Sequence, residues 1–373
     1  MTTRDLQRPP ARVIRVTPEL RVSQVEALDD LEPALLCYFV ENYDMRGRPI
    51  PVGVRRVTVA SLVRLFLTSP ATVLEAPEPL WMRFLLRWVV IVVAWRWTGM
   101  LRGIRRCTVV YAMENNDIAT LIGGVRRVPR PFRWLFVTVT GTLVRRYVDR
   151  LCFATTGAAE TYRALGVGGL ASTTILELQA PAKPTAAPGT PIAAFVGSLS
   201  ARKGVPDLLR AWSDVERLVP GAQLVIAGAG PLEAEVAAWV AERPRSRSLR
   251  GLLDPAGVRE LFDGASVNVS LAVPEGRWRE QVGLPILEGL SSGCTVVATD
   301  QTGIADWLED HGHHVVAPHD DAAIATSLVG ALRAPLDRDA VRSSLPSVDG
   351  AVRSNRWLHR RSPDAPRTAR SVR

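Results

Sequence analysis

The stretch IAAFVGSLSARKGVPDLLRAWSDVERLVPGAQLVIAGAGP, residues 192–231, holds two short apolar runs with one longer segment between them. IAAFVG (192–197) and AQLVIAG (222–228) are rich in small and β-branched residues, as strands buried on both faces are. GVPDLLRAWSDVER (204–217) reads as a helix, and both apolar runs end in glycine-containing turns. A strand that returns parallel to its predecessor needs such a helical crossover, so the stretch predicts a β-α-β unit of a parallel sheet.

The rhythm continues on both sides. Downstream, helices over 232–242 and around 256–263, strands SVNVSL (266–271), CTVVATD (294–300) and HHVVAP (313–318), and a helix from 321 to 333 extend the unit. Upstream, RVIRVTP (12–18), ALLCYFV (34–40), VRRVTVA (54–60), TVLEAP (72–77), CTVVYA (107–112) and RLCFATT (150–156) read as buried strands. Helices in SLVRLFL (61–67), 80–106 and 132–147 lie between them. The fold class is α/β. APAKPTAAPGTP (180–191) has no apolar periodicity and marks a linker. The expected organisation is an N-terminal Rossmann-like domain over 1–180, a linker over 181–191 and a second Rossmann-like domain over 192–340. A basic, mobile tail is expected over 341–373.

A chain of 373 residues suits two domains, and 47% hydrophobic residues suffice for two cores. Cys37, Cys107, Cys152 and Cys294 show no C-x-x-C spacing, which argues against a zinc site or a disulfide scaffold and fits a reducing compartment. The opening MTTRDLQRPPARVIRV has no apolar h-region, so no cleaved secretory signal is expected and the predicted location is cytoplasmic. Of 46 basic residues only Lys183 and Lys203 are lysines. The net charge of +9 is uneven: residues 81–150 hold thirteen arginines against Glu114, Asp117 and Asp149, and 353–373 hold seven against Asp364. This asymmetry predicts an anionic partner for both regions.

Within PLWMRFLLRWVVIVVAWRWTGMLRGIRR (79–106) the uninterrupted apolar run from Trp88 to Trp95 is far shorter than the roughly 20 residues that span a bilayer. Trp81, Trp88 and Trp95 share one helical face. Two readings stand: a helix lying in the headgroup region of an anionic membrane, or a core helix with its tryptophans buried.

Three loops carry the chemistry. FVGSLSARKG (195–204) passes from a strand through small residues to a helix start, where free N–H groups and the helix dipole favour an anion and Lys203 adds a point charge for a diphosphate. IAGAGP (226–231) is a second strand-to-glycine turn, which a tight turn alone could explain. REQVGLPILEGLSSG (279–293) sets Glu280 before Val282–Gly283–Leu284, Pro285 at a helix start and Glu288 one turn in. Glycine lets the backbone approach a ligand, and proline suits a first helical position. Two carboxylates facing the cleft at the strand ends suit a polyhydroxyl ligand.

With these residues in order, 192–333 resembles the donor-binding domain of GT-B retaining glycosyltransferases of family GT4, the glycosyl transferases group 1. Glu280 and Glu288 match that family's E-x7-E motif, and LSSGCTVVATDQTGIADWL is similar to its usual continuation. The resemblance implies two Rossmann-like domains facing across a cleft, and a nucleoside diphosphate sugar as donor with no separate cofactor. It implies Glu280 at the sugar, the Val282–Leu284 amides at sugar and phosphate, Glu288 at the ribose and Lys203 at the diphosphate. Gly197, Ser198, Arg202, Gly228 and Gly230 complete the expected donor-binding set, with Lys203 and Glu280 also in catalytic roles.

The chain departs from the pattern at three places. Ser198 stands where the family usually has arginine, with Arg202 nearby; VTPELRVSQVEA (16–27) lacks a glycine-rich turn; and no histidine precedes residue 311. YAMENNDIA (111–119) ends a strand where relatives place their histidine, and Glu114, Asn115 and Asp117 either face the acceptor or sugar, with Glu114 and Asp117 as catalytic candidates, or cap a helix. HGHH (311–314) falls in a turn with no further ligand at suitable spacing, so no metal is expected. The expected activity is retaining, metal-independent transfer of a sugar to a lipid-linked or glycan acceptor in polysaccharide or glycolipid assembly, at the inner face of a membrane. No nucleic-acid partner is expected. The alternatives are a nucleotide-sugar epimerase of the same fold and a non-catalytic donor-binding scaffold.

Overall fold

All named strands pair in parallel. The computed structural model describes residues 11–124, 126, 128–183 and 191–360. The first sheet contains β1 (Val13–Leu20), β2 (Ala34–Glu41), β3 (Val54–Arg56), β4 (Val73–Ala76), β5 (Cys107–Ala112), β6 (Arg150–Phe153) and β7 (Ala171–Thr174), in the order β3-β2-β1-β4-β5-β6-β7. The second contains β8 (Ile192–Val196), β9 (Gln223–Ala227), β10 (Arg247–Leu249), β11 (Val267–Ser270), β12 (Thr295–Thr299) and β13 (His314–Val316), in the order β10-β9-β8-β11-β12-β13. Each order reverses once, between β1 and β4 and between β8 and β11, and such switch points open a crevice at the carboxyl ends of the strands.

Apolar runs become central strands because helices cover both sheet faces: Val13, Leu74, Val110 and Leu151 are buried in one sheet, Ala194, Leu224, Val267 and Val297 in the other. Two strands escaped the sequence reading. β7 is the polar edge strand Ala-Ser-Thr-Thr, and β10 is a three-residue edge strand. Residues 57–60, expected in a strand, instead enter the helix Val59–Thr68, whose start Thr58 caps by accepting from Ser61 N at 3.2 Å.

The C-terminal segment differs from the mobile tail expected. Helices Arg338–Ser343 and Gly350–His359 follow, and the second returns to pack on β5 and β6 of the first sheet. Leu358, buried with Val13, Val73, Val109 and Cys152, holds it there together with polar side chains. Glu75 is buried against the Arg15 guanidinium (2.9 Å) and His359 Nε2 (2.9 Å), and Asn355 Oδ1 accepts from Glu32 N at 2.7 Å. Gly350 passes so close to Leu176 O that a side chain would collide. Residues 184–190 of the expected linker and 361–373 of the tail lie outside the described residues.

Candidate functional site

The carboxyl ends of the two sheets meet through the loops that follow β5, β6, β11 and β12. Asn115 Nδ2 donates to Glu280 O at 3.1 Å, Asn116 Nδ2 to Arg277 O at 3.1 Å, and Arg279 Nη1 to Asn115 O at 3.2 Å. Gly303 fits between Thr155, Asn115 and Gln281, where a Cβ would strike Gln281 O.

On the C-terminal side, the 195–204 loop follows β8 and enters the helix Val205–Leu218 through Gly204, held at φ 72° because a Cβ there would strike Leu271 O. Gly228 and Gly230 let two loops interlock: a Cβ on Gly228 would strike Gly197 O, and one on Gly230 would crowd Leu199, whose N donates to Ala229 O at 3.0 Å. Their immediate physical role is thus close backbone packing, which holds Gly197 and Ser198 at the β8 end.

Lys203 and Glu280 are brought together as a direct ion pair, both largely shielded from solvent. Trp278 lies under the cations, with Arg202 Cζ 4.7 Å and Lys203 Nζ 5.3 Å from its ring centroid. Trp278 is placed there by a tight turn in which Glu275 and Trp278 exchange backbone hydrogen bonds (3.0 and 2.8 Å) across Gly276, whose φ is 62°. Arg202 therefore rests on Trp278 beside Lys203.

After Glu280 the chain turns at Gly283 (φ 89°) into the helix Leu284–Ser292. Pro285 occupies its second position, one later than expected. The N–H groups of Val282, Gly283 and Leu284 donate to no acceptor among the described residues. That leaves three donors at a helix N-terminus, where the dipole favours negative charge. Supports beneath the turn are buried: Thr302 Oγ1 donates to Val282 O at 2.7 Å and Asn268 Nδ2 to Pro285 O at 2.7 Å, with Gly289 leaving room for Asn268. Glu288, half-buried, has no partner among the described residues, and burial alone pushes its carboxyl up to about 7.

On the N-terminal side, Glu114 accepts from Asn116 N (3.0 Å) and Asn116 Nδ2 (2.8 Å); burial raises its pKa against those hydrogen bonds. Beneath it, Glu78 accepts from Met113 N, Glu114 N and Tyr162 OH at 3.0, 2.9 and 3.0 Å, yet burial still pushes it up to about 7. Asp117 is exposed and caps the helix Ile118–Gly123, accepting from Ala119 N, Thr120 N and Thr120 Oγ1. Asn115, Asp117, Glu160, Arg279 and Asp306 border a cavity of about 330 Å³ along the domain seam.

The HGHH turn serves the fold. His313 is buried, its Nδ1 accepts from Val296 N at 3.1 Å, and burial lowers its pKa to about 4; His311 stacks on Trp307 at 4.0 Å. A D-x-D triplet, Asp337–Arg338–Asp339, lies at the other end of the 284–292 helix: Asp337 caps Arg338–Ser343, and Arg338 donates to Ser292 O at 2.5 Å. Sequence reasoning missed Glu78, Trp278 and Asn268. Each is a single residue whose role exists only in three dimensions, and no motif spacing marks it.

Two parallel-sheet domains meeting at their strand ends, with this loop chemistry, have the GT-B fold of glycosyltransferases. Residues 190–334, the C-terminal domain, match the glycosyl transferases group 1 family. Over 140 residues the chain is 31% identical to the alpha-maltose-1-phosphate synthase of Mycolicibacterium smegmatis, a match covering 35% of this chain and about a third (34%) of that relative. Among solved structures, Anabaena Alr3699/HepE in complex with UDP superposes with TM-score 0.63 at 14% identity, covering 93% of this chain and 94% of that one. The lipopolysaccharide outer core galactosyltransferase WaaB superposes with TM-score 0.64 at 11% identity, covering 92% and 97%.

Proposed function

We propose that the protein is a retaining, metal-independent glycosyltransferase of the GT4 kind, moving a sugar from a nucleoside diphosphate sugar to a lipid-linked or membrane-associated acceptor. The observation that carries this reading is one constellation: the Lys203–Glu280 pair, and, among the described residues, three N–H groups without acceptors at the start of the 284–292 helix and a Glu288 without a partner. Lys203 and the 282–284 amides supply positive potential for a diphosphate, and the charge that develops on a leaving diphosphate is what an enzyme stabilises most effectively. A bound diphosphate replaces Glu280 as the partner of Lys203 and frees Glu280 for sugar hydroxyls. Glu288 takes the ribose hydroxyls, which satisfy a carboxylate that the protein leaves unpaired. The acceptor approaches across the seam from Glu114 and Asn115.

Calorimetric or thermal-shift titration with UDP-, GDP- and ADP-sugars tests the donor, and release of nucleoside diphosphate tests transfer or hydrolysis. Stabilisation by one nucleotide class with turnover is the expected result. Nucleotide binding without turnover against any acceptor would favour a donor-binding scaffold, and no binding would overturn the reading.

A further inference from the structure

The helices Leu85–Leu101 and Arg130–Tyr147 follow β4 and β5, neighbouring strands of one sheet. Successive right-handed crossovers in one direction lay both on the same sheet face, and they pack against each other there. The first helix is apolar on two opposite sides. Trp88 and Trp95 are fully buried, but Leu86, Val90, Trp97, Met100 and Leu101 are exposed by 83, 48, 55, 68 and 73%. At about 100° per residue these five occupy one stripe, on the far side of the helix from Trp88 and Trp95.

The second helix behaves alike: Phe132, Leu135 and Val139 form one stripe, exposed by 66, 52 and 48%, and Trp134, exposed by 67%, lies about 100° round the helix from Leu135. A helix on a water-facing surface ordinarily turns polar residues outward, so two adjacent helices that present Trp, Phe, Leu and Met are exposing a contiguous apolar face. Exposed arginines lie on and beside these two helices. Arg83, Arg105, Arg130 and Arg133 are exposed and have no carboxylate partner among the described residues.

We propose that this face is a docking surface for an anionic phospholipid bilayer. Tryptophans among aliphatic residues suit the headgroup–acyl boundary, and exposed arginines on the same two helices and their ends suit lipid phosphates. A second copy of the chain fits less well, because a two-fold contact would bring the arginine-rich 81–150 region against itself. Each helix ends a few residues before the next strand begins, at Cys107 and Arg150, so each runs back from the cleft side of the sheet and the face extends from the cleft rim outward. A membrane held there presents a lipid-borne acceptor to the cleft. The docking itself does not depend on glycosyl transfer.

The test is co-sedimentation of the full chain with phosphatidylcholine vesicles, with and without phosphatidylglycerol, across a salt series. Wild-type protein binds the phosphatidylglycerol vesicles, weakened but not released by salt. A Trp97→Ser/Leu101→Ser/Trp134→Ser/Leu135→Ser variant loses about tenfold or more of that binding, with Tm and nucleotide binding unchanged. Arg83→Gln/Arg130→Gln/Arg133→Gln removes the preference for anionic lipid and keeps residual binding. Equal vesicle binding by wild type and the serine variant overturns the proposal. So does a lipid-independent dimer that the serine variant abolishes. Vesicle binding in a protein that binds no nucleotide leaves the docking face standing and sinks the donor reading instead.

Discussion

Over six strands the two sheets share one order about one switch point, with β7 added at the edge of the first, yet their loops and helices are used differently. In the C-terminal sheet, Gly204, Gly228 and Gly230 let backbones approach where side chains would collide, and the gathered loops carry Lys203 and the 282–284 amides. In the N-terminal sheet β1 runs without a glycine into the short helix Val22–Glu26, and the distinctive chemistry sits on the outer surface of the helices. A scaffold repeated within one chain therefore does not repeat a site. What separates the halves is whether the constraint falls on backbone approach or on which side of a helix faces water.

The sharpest way to break this comparison lies on a single helix. Trp95 packs edge-on against Phe66 at 5.0 Å, donates from Nε1 to Cys107 O at 3.2 Å and lies 4.0 Å beneath the Arg106 guanidinium. Trp95→Ala should destabilise the protein by about 3–5 kcal/mol, the usual cost of emptying a large aromatic site. Trp97→Ala, two residues on, should cost no more than about 0.5 kcal/mol. Urea unfolding of the pair checks this, and equal costs would contradict the assignment of faces.

Next in size is the donor side. Lys203→Ala should weaken binding of a nucleoside diphosphate by about 1.5–3 kcal/mol, the worth of a hydrogen bond to a charged group, and lower turnover with it. Lys203→Arg should recover part of the loss. Calorimetry showing unchanged affinity in Lys203→Ala would remove the phosphate assignment. Because Glu280 would then lack its partner, Glu280→Gln beside Lys203→Ala separates a lost phosphate contact from an unpaired carboxylate.

A smaller effect sharpens the role of Glu288. Burial holds its pKa near 7 against an ordinary value of 4.5, so the fold favours the protonated acid. Its contribution to stability is complete below pH 4.5 and is lost as the pH rises through 7. Ribose hydroxyls donate to the ionised form, so nucleotide binding pulls this pKa down. Affinity should therefore rise as the pH approaches 7, by at most about tenfold per pH step of one, and level off above it. Glu288→Gln should flatten that profile and raise stability above pH 7. A wild-type affinity that is flat across this range would remove Glu288 from the ribose.

Much of the fold was legible because apolar runs and glycine turns alternate without interruption. The helix at 321–333 lies where the sequence places it, while β7 and β10 lack the apolar content that marks a strand. Trp88 and Trp95 share one face of the 85–101 helix, as the spacing predicts, but Trp81 lies before that helix begins, and a spacing of seven cannot tell an inward face from an outward one. Trp88 and Trp95 are core, and the membrane-surface reading of that stripe is overturned. The C-terminal helix was missed because its anchors, Asn355 and His359, are polar groups whose partners Glu32 and Glu75 lie more than 280 residues away in the chain. The Lys203–Glu280 contact joins two motifs that spacing alone treats as separate.

The smallest effect decides between the two readings of Asp117. Its carboxylate accepts three hydrogen bonds from the first turn of the 118–123 helix. Burial alone would raise its pKa, but those hydrogen bonds and the nearby Arg279 bring it below the ordinary value, so its stabilising effect is present at neutral pH and is lost as the pH falls into the acid range. Asp117→Ala removes a cap and should cost about 1 kcal/mol, whereas Asp117→Asn and Asp117→Ser should keep most of it. If Asp117 only caps, all three variants keep donor affinity, and the acceptor KM follows helix stability, with Asn and Ser behaving as wild type. If it also binds acceptor, Asp117→Asn raises the acceptor KM while stability holds. Glu114 supplies the contrast: Glu114→Gln should leave the loop in place, because an amide oxygen can still accept from Asn116 N, and any loss of turnover then reports on the carboxylate. A rise in acceptor KM for Asp117→Asn together with a silent Glu114→Gln would move the acceptor contact from the base of the loop to its exposed tip.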